Sequence, residues 1–157
     1  MIYLVRAEPK HIESLLGRVR RADREELAAG YSLTPERALE TGLKISSHCW
    51  AGMWQGRVIA IAGLYPTSFL GDHAHPWMIG SHDLERSELR RKFLDMSQAV
   101  LAHMLTLYPH LDNWVDARNR TAVRWLRWLG FQVDVPEPHG PLGMPFHHFE
   151  MKGASRV

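Results

Sequence analysis

Between residues 111 and 135 the chain reads as an apolar run, an asparagine, an amphipathic stretch, a Gly-Phe pair and a second apolar run, an order that leaves little freedom of fold. Residues 111–115 suit a buried strand, and Asn119 can accept a hydrogen bond at the head of the helix that follows. Ala122, Trp125, Leu126 and Leu129 recur on one face of that helix. Gly130 supplies a left-handed stop, and Phe131 opens the next strand, expected over residues 131–135. A strand, a tight helix and a strand have apolar surface on one side each, so the unit must be packed into a layered sheet.

The rest of the chain extends the same architecture. Residues 2–5 read as a short strand, and Ile12, Leu15, Leu16 and Val19 recur at helical spacing. A charged run at 20–24 leads to Gly30, which suits a helix stop. Thr34-Pro35 offers an N-cap with proline at the first helical position, predicting a second helix to about residue 45. Residues 49–64 alternate as a hairpin about a turn at Gln55-Gly56, and 75–79 make a further short strand. Leu89, Phe93, Met96, Val100, Met104 and Leu107 hold one face of a long helix. Prolines and glycines over 136–145 predict a loop, after which 146–151 close the sheet. The expected fold is one α/β domain over residues 1–152 with a tail at 153–157. Its sheet is mixed, mostly antiparallel, with about six to seven strands and about four helices.

Composition narrows the functional classes. Of 157 residues, 45% are hydrophobic and the net charge is +2 without a long basic run, which argues against nucleic-acid binding. No apolar stretch reaches the length of a membrane span, and a single cysteine, Cys49, excludes an intrachain disulfide, which suits a reduced cytoplasm. Cys49 reads as a packed side chain. Ten histidines include His73, His75, His82, His147 and His148, but neither cysteine companions nor helical spacing nor a carboxylate partner completes a metal site, so they read as loop or surface groups and no metal is expected. Trp77 and Trp114, on neighbouring strands, are placed to line a ligand groove.

The segment Asn113-Trp-Val-Asp-Ala-Arg-Asn119-Arg-Thr-Ala122-Val-Arg-Trp-Leu126-Arg-Trp-Leu-Gly130-Phe131 resembles the C-terminal signature of GNAT N-acetyltransferases. Across nearly its whole length the chain is also similar to GNAT-like proteins of tailed bacteriophages related to a small internal virion protein. That likeness runs through Arg20-Arg-Ala-Asp23-Arg-Glu-Glu26, Trp50-Ala-Gly52, Ala62-Gly63, Pro76-Trp77, Tyr108-Pro109 and Gly143-Met-Pro-Phe146-His-His-Phe149. It implies a phage or prophage product in the cytoplasm of a bacterial host, packaged in a virion or bound to phage or host proteins.

The resemblance also says where acetyl-CoA would sit. GNAT enzymes hold its pyrophosphate on backbone amides of a glycine-rich loop before the long helix, where glycines allow the close approach. Here that stretch reads Gly80-Ser-His-Asp-Leu-Glu-Arg-Ser87 and lacks the glycine pair. Were coenzyme held, Trp77, Ile79, Gly80, Arg86, Ser87, Arg90, Arg91 and Asn119 are the residues implied. The family's acid tyrosine falls on Leu126, which has no proton to give, and Asp116 and Glu150 are candidate bases for deprotonating an amine. Two readings follow: an interaction protein with vestigial or absent acetyl-CoA chemistry, or a working acetyl-CoA-dependent N-acetyltransferase.

Overall fold

The computed structural model describes residues 1–67 and 71–153; beyond Gly153, the tail expected at 153–157 lies outside them. Element order is β1 (Tyr3–Arg6), α1 (Pro9–Leu16), α2 (Arg21–Tyr31), α3 (Pro35–Ile45), β2 (His48–Trp54), β3 (Arg57–Pro66) and β4 (His73–Gly80). A single 3-10 turn (His82–Glu85) leads into α4 (Ser87–Leu107), β5 (His110–Asp116), α5 (Arg120–Leu129), β6 (Gln132–Val133), β7 (Glu137–His139) and β8 (Met144–Lys152). The strands form one mixed sheet in the order β1-β2-β3-β4-β5-β8-β6, with β7 also on β8. The β4–β5 contact is parallel; the other pairings are antiparallel.

Local chemistry sets most boundaries. Thr34 Oγ1 accepts the Arg37 N–H at 3.3 Å and Pro35 follows it, so α3 starts where the sequence predicts. Gln55 and Gly56 take φ of 49° and 76°, the twist that a two-residue hairpin needs. Asn119 Oδ1 accepts the Ala122 N–H at the head of α5, and Gly130, at φ 104°, stops it.

Among the described residues five helices and eight strands stand where about four and six to seven were expected. The added helix is α2, which absorbs the charged run. Gly30 is inside it rather than its stop, which is the left-handed Ser32 at φ 53°, and the Phe146 ring packs so closely on Gly30 that a Cβ there would lie 3.0 Å away. Val19 lies outside α1 and bridges to Ser81 instead. The strand expected over 131–135 shortens to β6, and the loop expected over 136–145 contains β7.

Helices cover both faces. Leu15 of α1 and Leu39 of α3 are fully buried against Ala51, Val58, Ile61 and Ile79, and each such leucine contributes about 2 kcal/mol. On the other face Leu101, Met104, Val123 and Leu126 of α4 and α5 pack on Leu64, Leu111 and Phe149. Val58 pairs with Met53 but Ala60 with Gly52, so Ile59 is an extra residue in β3. That bulge turns Ile59 towards Leu84 and Leu89, joining β3 to the start of α4.

Candidate functional site: a forked sheet closed by a helix

The sheet divides at its centre. β4 bonds β3 along seven residue pairs and β5 bonds β8 along seven, yet β4 and β5 meet at two, His73 with His110 and Ala74 with Leu111. Asn113 Nδ2 then donates to the Pro76 carbonyl at 3.0 Å, a last cross-link before the strands part. Beyond it opens a cavity of about 640 Å³ between Trp77, Met78 and Ile79 on one side and Trp114 and Val115 on the other. Phe93 and Trp125 stack 5.5 Å apart at its α4–α5 side. Trp77 is a fixed wall: its ring lies against Gly42 and Gly63, and its Nε1–H donates to Ser46 Oγ at 2.8 Å.

Helix α2 closes the wide end of the fork. Asp23 and Glu26, three residues apart, share a helix face and each takes an N–H from a different parted strand. Asp23 Oδ2 accepts from Gly80 at the end of β4, and Glu26 Oε1 from Asp116 at the end of β5, both at 2.8 Å. Arg20 forks onto Asp23, and Asn119 Nδ2 lies 3.5 Å from Asp23 Oδ1. Asp116 is held by Arg118, whose Nη2 stands 2.7 Å from Oδ2. Glu26 lines the cavity, and burial pushes its pKa from 4.5 to about 7; the Asp116 N–H opposes this, while the charges of Asp23 and Asp116 add to it. Burial and Glu26 together push the neighbouring Tyr31 up to about 12.

The loop after β4 folds in on itself. The N–H groups of Ser81, His82 and Leu84 donate to the carbonyls of Ile59, Arg18 and Ser81, and that of Arg86 donates to Asp83. The Asp83 N–H donates to Ser81 Oγ at 2.9 Å. At the centre lies the Asp83 carboxylate, 1% exposed, with Arg18 Nη1 at 2.6 Å, Arg57 Nη2 at 3.0 Å and Arg86 Nε at 3.4 Å. Burial alone would raise its pKa, but the Ser81 hydroxyl and the Arg57 and Arg18 charges outweigh burial and hold it below the usual carboxylate value. The Arg57 and Arg86 guanidiniums also lie over the Trp54 ring, 5.2 and 5.4 Å from its centre.

No protein-family model matches this chain, and no curated protein does. Solved structures do match it over nearly their whole lengths. Spermidine N-acetyltransferase from Vibrio cholerae, in complex with CoA and spermine, superposes with a TM-score of 0.68 at 11% identity, covering 96% of this chain and 95% of that one. The ribosomal-protein-S18-alanine N-acetyltransferase from Escherichia coli gives 0.66 at 15%, covering 100% and 97%. A GCN5-related N-acetyltransferase from Kribbella flavida gives 0.68 at 21%, covering 96% and 97%. The chain has the GNAT fold.

Within that GNAT fold the residues singled out from the sequence scatter. Trp77, Ile79 and Asn119 line the cavity, as does Trp114, while Gly80 sits at the fork's wide end with its N–H on Asp23. Arg86 turns to Asp83 and to Glu88, 3.1 Å away, and Ser87, Arg90 and Arg91 are exposed at the start of α4, outside the cavity walls. Asp116 and Glu150 are not brought together: Asp116 pairs with Phe146 and Glu150 with Asp112, roughly 13 Å apart along β5. Glu150 instead meets His110, at 3.0 Å. Asp23 and Glu26 belong to the run at residues 20–26 that carries part of the likeness, but the sequence gives them no site role beyond their spacing of three within a charged run. His75 and His148 stand on strands as expected and His73 on the same strand as His75, but all three are half-buried rather than loop or surface groups, and the carboxylate partner they lack in sequence is Asp112.

Proposed function

We propose that this GNAT-fold protein has exchanged the coenzyme-gripping loop for an internal ion-pair hub, so that acetyl transfer is vestigial or absent and the protein works through binding to other macromolecules. The observation that carries this reading is Asp83. The amides of Ser81, His82, Asp83, Leu84 and Arg86, in the loop before α4, already donate within the protein, each such bond being worth about 1 kcal/mol, and a buried carboxylate stands among them. The arginines nearest to that position, Arg18, Arg57 and Arg86, are engaged by Asp83. Titration calorimetry with acetyl-CoA tests the point. Binding weaker than millimolar is expected, and micromolar binding in the fork overturns the reading. The likeness to internal virion proteins of tailed bacteriophages supports phage or host proteins as the partners, in the host cytoplasm or in the particle. Mass spectrometry of purified particles checks that part separately.

A second reading rests on Glu26. A carboxyl with a pKa of about 7, opening on an aromatic cavity, is matched to taking a proton from an amine at neutral pH. In an active N-acetyltransferase the freed amine would attack the acetyl carbonyl, and CoA thiolate would leave and take its proton from solvent, since Leu126 has none to give. Arg86, Arg90 and Arg91 would then hold the coenzyme phosphates, with Asp116, bonded to Arg118, beside the base. Release of CoA thiol on incubation with amines, abolished in Glu26→Gln, would support this second reading; absence of release from the wild-type protein sinks it.

A further inference from the structure

The closed end of the fork gathers a group of side chains that neither reading uses. His73 and His75 are two residues apart on β4 and so project from one face of the sheet. The pairing of Ala74 with Leu111 places Asp112 of β5 beside them. Asp112 Oδ1 contacts His73 Nε2 and lies 3.1 Å from His75 Nδ1, and one ligand atom from each of the three residues lies within 4.8 Å of the others. We propose that His73, His75 and Asp112 bind one divalent transition-metal ion of the zinc class.

The geometry is close to what such an ion needs. Ligands about 2.0–2.2 Å from a tetrahedral ion stand roughly 3.3–3.6 Å from one another, so binding would also turn His75 Nδ1 from the Asp112 carbonyl that it now meets at 2.7 Å. Two imidazoles and a carboxylate, without thiolate, suit zinc, cobalt or nickel better than calcium or magnesium, which take oxygen. Outer partners hold the ligands in place. His148 Nε2 stands 2.7 Å from the second Asp112 oxygen, Asp134 Oδ2 stands 3.3 Å from His148 Nδ1, and Thr67 Oγ1 stands 2.8 Å from His73 Nδ1. Three imidazoles converge on one carboxylate, which a charge pair alone does not require, since one carboxylate balances one imidazolium. Side-chain exposures of 26% for His73 and 30% for His75 leave a route in from solvent.

The test uses the full chain stripped with a chelator and titrated with Co²⁺, then Zn²⁺. The expected result is one equivalent of cobalt with visible ligand-field absorption, displaced by zinc, and a rise in melting temperature with zinc. His75→Ala and Asp112→Asn, checked for fold by circular dichroism, should lose at least about tenfold in affinity, while His82→Ala, exposed and remote from the cluster, should not. Substoichiometric cobalt binding by the wild-type chain overturns the proposal, and so does unchanged affinity in folded His75→Ala or Asp112→Asn. If neither variant folds, the wild-type stoichiometry decides.

Discussion

Replacing Glu26 by glutamine should stabilise the protein at alkaline pH and flatten its pH profile. The folded carboxyl titrates at about 7 against 4.5 in the unfolded chain, so the native state holds a proton that the unfolded state has given up across that interval. Stability is therefore fully present below about 4.5, falls as pH rises towards 7, and levels off above it. At about 1.4 kcal/mol for each tenfold change in proton affinity, the loss amounts to about 3 kcal/mol. Glutamine keeps an oxygen for the Asp116 N–H and carries no charge to bury. In a chain of this size that gain corresponds to a melting temperature about 6–12 °C higher at pH 8, with little change at pH 4.5. Urea unfolding of wild type and Glu26→Gln at half-unit steps from pH 4.5 to 8.5 makes the comparison. A wild-type profile flat between pH 5 and 7, or a Glu26→Gln profile with the wild-type slope, would refute the reasoning.

Gly63→Ala should cost about 1–3 kcal/mol in urea unfolding, because the new methyl would stand 2.7 Å from the Trp77 ring, whose other side is blocked at Gly42. Tryptophan fluorescence should shift with it; an unchanged midpoint counts against Trp77 as a fixed wall. Asp83→Ala should lose about 3–5 kcal/mol, since it strands Arg18 and Arg57 without their shared buried partner, and a loss under about 1 kcal/mol would mean that the hub contributes little. Asn119→Ala should cost about 1 kcal/mol through the α5 cap and also extend the stability decline to higher pH, because the Asn119 hydrogen bond lowers the Glu26 pKa. Melting curves at pH 6 and 8 read both effects.

What the sequence made legible was local. Thr34, Gln55-Gly56, Asn119 and Gly130 each act through a neighbour within four residues, and each element they bound was expected where it stands. Helix α2 escaped because the face it turns to the fork carries Asp23 and Glu26, so hydrophobic periodicity is weak where the helix is best placed. β7 escaped because its residues include and adjoin prolines and it gains strand form from β8 alone. The site was less legible still. Asp23 bonds Gly80 across 57 residues, Glu26 bonds Asp116 across 90, and His73 meets Asp112 across 39. No window along the chain contains both partners, and each contact exists only after the sheet has formed.

The forked sheet has a bearing on how the chain assembles. Residues up to Gly80 complete the ladders of β1 to β4, and those from His110 onward complete those of β5 to β8, so nearly every ladder joins strands from the same half of the sequence. Within the halves β2–β3, β3–β4 and β7–β8 form through short-range closures, which are fast, whereas Tyr3 with Met53 and His110 with Lys152 close over long stretches, and the union of the halves waits on a two-rung junction and on α2 reaching across. Late docking of two prebuilt leaves is the kinetic order this layout favours, with the α2 carboxylates as its final latch.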